Sequence, residues 1–142
     1  MTSEAVFSRI LLGQQLTPNQ QEEVSKYLLS NPPDAPNGDG RKNDYYWYYA
    51  TMALMHMHSN SWAQWNEKMR DLLVKSQQRE GKLDGSWDTD TRYGAIGGRI
   101  YTTSMATLTL EVYYRYLPMY KRGADSGQQS KPLPISPPSS GR

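Results

Sequence analysis

The feature that most constrains this chain is a tryptophan set among glycines. Trp87 lies in the run KSQQREGKLDGSWDTDTRYGAIGGRIYTTSMA, from Lys75 to Ala106. An indole carries a large apolar area, so a Trp in a Gly- and Asp-rich loop is costly unless it packs. The run opens at the end of one amphipathic segment and closes at the start of another. Trp87 is therefore expected to sit as a plug under the loop, tying the end of one helix to the start of the next. Around it, in fixed order, come Gln77, Glu80-Gly81, Gly85-Ser86 and then Gly97-Gly98-Arg99 ahead of Tyr101.

The periodicity and punctuation of the chain predict helices throughout. Residues 3–13 read as a short helix ending at Gly13, a C-cap residue. Thr17 and Pro18 read as the N-cap and first position of a second helix, stopped by Asn31-Pro32-Pro33. A Pro, Gly, Asn and Asp loop follows. Asp44 is expected to cap a third helix, from Tyr45 to about His58, that is apolar nearly all round and hence buried on more than one side. Ser61 is expected to cap a fourth, in which Trp62, Trp65, Met69, Leu72 and Leu73 form one face. A loop over 78–98 leads to a fifth helix, starting at Arg99 or Tyr101 and ending near Leu117. Residues 1–122 form the foldable unit, and 123–142, rich in Pro, Ser, Gly and Gln, read as a disordered tail.

The chain also repeats. A shift of 53 positions (101 − 48) lays Tyr48, Thr51, Met52 and Ala53 over Tyr101, Ser104, Met105 and Ala106. Each unit is a polar-faced helix, a loop and a more apolar helix, the alternation that a two-layered helical array requires.

Gln77-Gln78-Arg79-Glu80-Gly81 followed by Gly85-Ser86-Trp87 resembles the QW-type repeat of squalene–hopene cyclases and prenyltransferase/squalene-oxidase repeat proteins, with Trp87 placed later than in the compact motif. The run from Tyr45 to Lys121 resembles the C-terminal part of squalene-cyclase-like bacterial proteins. The resemblance implies an all-α fold of helical hairpins belonging to an α/α toroid, incomplete here because two pairs and a leading helix cannot close a ring. It implies a structural role for Gln77, Gly81, Gly85, Trp87, Gly97 and Gly98. It also implies, as partner, the remainder of a longer toroid or a neighbouring chain, with an isoprenoid-like apolar ligand as a further option.

The chemistry is sparse. Asp88 and Asp90 are the nearest approach to the acid motif with which such cyclases protonate an alkene. They follow the repeat Trp directly, where loop capping is the simpler role. The prenyltransferases of this fold hold zinc through Asp, Cys and His, but the chain has no cysteine. His56 and His58, two apart on a helix, diverge by about 200°, so neither zinc nor any other cofactor is expected. Tyr48, Met52, Tyr101 and Met105 are candidates for an exposed ligand-binding face, with Arg99 as an anion contact at a helix start. The aromatic run Tyr45–Tyr49 either packs in the core or lines that face.

A net charge of +2, with the signs mixed, gives no footprint for nucleic acid. No apolar run is long enough to span a bilayer, and the N-terminus lacks the pattern of a secretory signal. The compartment is left as cytoplasmic by default. The function expected is a non-catalytic repeat segment acting as scaffold or binding surface. The alternatives are part of an isoprenoid cavity in a cyclase or transferase, and a self-assembling helical module.

Overall fold

A computed structural model describes residues 2–33, 42–57 and 61–114. They form five helices: α1 (Thr2–Leu11), α2 (Pro18–Ser30), α3 (Asp44–His56), α4 (Ser61–Ser76) and α5 (Gly94–Tyr114), with a 3₁₀ turn at Gly81–Leu83. The all-α expectation holds. Among the described residues there is no strand, only an isolated bridge between Lys42 and Thr91. None of the helices there is long and apolar enough to cross a membrane. The predicted tail at 123–142 and His58 lie outside the described residues.

The local signals explain the helix ends. Thr17 caps α2 with its hydroxyl on the Gln20 amide, and Gln20 returns a bond to the Thr17 amide, so two orphan donors are satisfied reciprocally. Gly13, in the left-handed region at φ 72°, closes the turn after α1. The start of α3 differs from expectation. Asn43 is the cap, its Oδ1 accepting from the Tyr46 amide at 3.0 Å. Asp44 is the first helical residue and turns inward.

The packing follows a simple rule. α1 lies on α3 and α3 on α5, while α2 lies on α4, and α4 on both α3 and α5. The more apolar odd-numbered helices thus form one row, α4 backs it at α3 and α5, and α2 lies on α4. α3 is at the centre, with Trp47, Ala50, Met52, Ala53 and Leu54 all buried, as its all-round apolarity required. α4 contributes Trp65, Met69 and Leu73 to the same core. Trp65 is fully buried, and its indole N–H donates to the Thr51 hydroxyl at 2.9 Å, which donates to the Trp47 carbonyl at 2.7 Å. Among the described residues no buried side-chain polar atom is left orphaned by burying so large a ring.

The start of α5 is also corrected. Helical turns begin at Gly94, before the expected loop end, and break at Gly98, whose φ of 71° and ψ of −175° suit glycine alone. Gly97 is required for a different reason. A Cβ there would lie 2.6 Å from the Tyr101 ring. Open space surrounds Gly98, so Gly98→Ala should cost only backbone strain, about 1–3 kcal/mol. Denaturant midpoints of the two proteins measure it, and an unshifted midpoint would mean that the kink is not needed.

Candidate functional site

The loop between α4 and α5 is closed on itself before it is closed on the helices. The Gln78 amide donates to the Ser86 carbonyl and the Gly85 amide to the Gln78 carbonyl, both at 2.8 Å. The Gln77 side chain donates to the Gly85 carbonyl at 3.0 Å. Trp87 then turns under the loop, 8% exposed, and its indole N–H donates to the Leu73 carbonyl at 2.8 Å. That carbonyl belongs to the last turn of α4, whose oxygens lie beyond the regular helical amides, and the Ser76 hydroxyl also donates to it at 3.2 Å. Arg79 covers the next, from Val74, at 3.1 Å. The expected plug is therefore in place, and it acts as a helix cap as well as an apolar filler.

The main chain of Trp87 fastens the loop to α5. Its carbonyl accepts from Arg99 at 3.0 Å and from the Thr102 hydroxyl at 3.1 Å, and its amide donates to the Thr103 hydroxyl at 3.2 Å. Arg99 also reaches the Ser86 hydroxyl and pairs with Asp88 at 2.6 Å. Asp88 takes a further bond from Gln78. Arg99 is thus engaged inside the loop rather than presented to an anion. Asp90 pairs with Lys42 at 2.7 Å. Both carboxylates are at least half exposed and matched to a cation, so neither sits in the apolar surround that an alkene-protonating acid requires.

The other candidates separate. Tyr48 packs edge-on against Tyr49, at 5.2 Å between ring centres, in a cluster that continues through Tyr45 to Tyr93 and through Tyr49 to Phe7. Met52 is in the core. His56 lies against Phe7, its Nδ1 at 2.9 Å from the Met52 carbonyl. Among the described residues no three His, Asp or Glu side chains gather as metal ligands. Tyr48, Met52, Tyr101 and Met105 therefore do not form one open face. Tyr101 points at a residue that sequence reasoning treated only as a cap.

That residue is Asp44, 5% exposed. Its Oδ2 accepts from the Thr91 hydroxyl at 2.9 Å, and its Oδ1 from the Tyr45 amide at 3.0 Å and the Tyr101 hydroxyl at 3.4 Å. Burial raises the Asp44 carboxyl above its ordinary range, against the pull of these donors. Burial and then the nearby Asp44 charge push the Tyr101 hydroxyl up as well. Two consecutive residues of cap type, Asn43-Asp44, were the available signal, because a helix has room for one N-cap.

Asp44 borders a cavity of about 190 Å³ among α3, α4, α5 and the loop. Trp47, Trp87 and Leu72 give it apolar wall, Thr102 and Thr109 give hydroxyls, and Met105 lies against it, whereas Tyr48, Met52, Tyr101 and Arg99 do not line it. Pockets for drug-sized ligands run to roughly 300–1,000 Å³, so only a smaller molecule fits. No protein-family model, curated protein or solved structure matches this chain.

Two outcomes test this geometry. Trp87→Ala should destabilise the fold by about 3–5 kcal/mol, the range for emptying a buried large aromatic, read as a lowered denaturant midpoint. For Asp44, a carboxyl raised on folding holds its proton more tightly in the native state. Its cost is then absent below the ordinary value of 3.8 and grows as pH rises through the folded value. Wild type should therefore gain on Asp44→Asn as pH falls from neutral to about 4. A gap between their midpoints that moves the other way would show the hydrogen bonds to outweigh burial.

Proposed function

We propose that the chain is a non-catalytic arc of α/α-toroid type, serving as scaffold or binding surface for further helices of the same kind. The observation that carries this reading is the row α1–α3–α5 with α4 behind α3 and α5, in which the helices equivalent by the 53-residue repeat lie side by side. The two copies differ where an arc would continue. Trp47 of α3 is 5% exposed, but Ile100, its equivalent in α5 (47 + 53), is 85% exposed. Ile96 at 90% and Leu108 at 39% are exposed on the same helix. Apolar side chains left open on one helix of a repeat array are what the next unit covers.

The loop supports the same reading. Asp88 and Asp90 serve as ion-pair partners that hold it closed, and Arg99 is spent on the same task. A cavity of about 190 Å³ is too small to enclose a long isoprenoid chain, whose binding would bury most of its surface.

The test is turnover. Purified protein incubated with squalene, and separately with farnesyl diphosphate, should yield no product above a protein-free control. A cyclised or transferred product made by wild type and lost in Asp88→Asn/Asp90→Asn would replace the scaffold reading with an enzymatic one.

A further inference from the structure

The cavity beside Asp44 has a chemical polarity of its own, set by where its hydrogen-bond donors point. Each side-chain hydroxyl on its wall gives its proton to the protein. Ser76 donates to the Leu73 carbonyl at 3.2 Å, Thr91 to Asp44, Thr102 to the Trp87 carbonyl, and Thr109 to the Met105 carbonyl at 2.7 Å. The Trp87 N–H is spent on Leu73. A hydroxyl that has donated keeps lone pairs and can only accept. The hydroxyls on this wall are therefore left as acceptors.

The charges point the same way. Lys42 is neutralised by Asp90 and Asp88 by Arg99. Asp44 is the cavity-lining carboxylate with no cation beside it among the described residues. Among the described residues its Oδ2 accepts from Thr91 alone, although a carboxylate oxygen takes about two donors. A buried carboxylate held by hydrogen bonds but balanced by no cation is unfavourable, and a small cation would relieve it. The remaining wall, from Trp47, Trp87, Leu72 and Met105, is apolar and partly aromatic, and indoles attract cations.

We propose that this cavity is a binding site for a small organic ammonium ion, its N–H groups on Asp44 and its carbon chain against Trp47 and Trp87. A neutral alcohol would fill the space but leave the charge unmatched. A carboxylate ligand would meet Asp44 with like charge. A hard metal cation needs six or so oxygen ligands, and no group of three acidic or histidine side chains gathers to hold one among the described residues. The proposal stands apart from the arc reading, which is tested by turnover, and either can fail without the other.

The experiment is a titration of the full chain, labelled with nitrogen-15, followed through its indole N–H resonances. n-Propylammonium chloride is the probe, with n-propanol, sodium propionate and sodium chloride as controls. The Trp47 and Trp87 signals, assigned from single Trp→Phe variants, should shift saturably in the millimolar range with the ammonium alone. Asp44→Asn should weaken binding at least about tenfold, the scale of one charge-assisted hydrogen bond. Thr109→Val, which keeps the side-chain shape, should weaken it about two- to tenfold and serves where Asp44→Asn does not fold. Three results would each overturn the site: no saturable shift, an equal response to n-propanol, or unchanged binding in Thr109→Val together with any folded Asp44→Asn.

Discussion

The structure turns on one carbonyl group. Leu73 is 3% exposed and stands in the last turn of α4, where side chains rather than helical amides must meet its oxygen. The Trp87 indole at 2.8 Å is the shorter of its two side-chain partners, Ser76 being the other at 3.2 Å, and the same tryptophan holds α5. Its amide and carbonyl meet Thr103, Thr102 and Arg99, so the part of α5 that follows the kink at Gly98 is held where Trp87 places it. The ring fills the space under the loop, and the N–H satisfies the helix end. One side chain joins three elements because its apolar body and its single donor act in different directions.

What the sequence made legible was local. Thr17-Pro18, Gly13 and the Gly-flanked Trp87 each carry their reason within a few residues, and the structure uses all of them as the residues suggested. The central place of α3 could be read from apolarity on every side. The errors arose where a partner is distant. Asp44 looked like a cap because nothing nearby suggests Thr91 and Tyr101, 47 and 57 residues away, as its hydrogen-bond donors. Arg99 looked like an anion contact because it follows two glycines, but the kink at Gly98 aims it back at Asp88. The helical turns at Gly94–Gly97 were hidden by glycine content, since propensity alone argues against a helix there.

The candidate site shows the same division. Met105 was expected at a binding face and does border the cavity, but Met52, its equivalent in the repeat, belongs to the core and Tyr48 to the aromatic cluster. A repeat conserves the spacing of side chains along a helix and not their surroundings. α3 has helices on both flanks and α5 has α3 on one, so equivalent positions become core in the first and surface in the second. The polar lining that α5 gives the cavity comes from Thr102 and Thr109, where the repeat lays Tyr49 and His56 in α3.

The bridge between Lys42 and Thr91 has a mechanical consequence. The Arg92 amide donates to the Lys42 carbonyl at 2.7 Å, Lys42 pairs with Asp90, and Thr91 holds Asp44. The entries to α3 and α5 are thus clamped together, with α3, α4 and their connections looped out between them. Tension applied to the chain on either side of the clamp would be carried across it in parallel with the covalent path. The loop would bear load only after those contacts had parted. The α3 and α4 walls of the cavity are in this sense kept slack, whereas its α5 wall lies beyond the clamp.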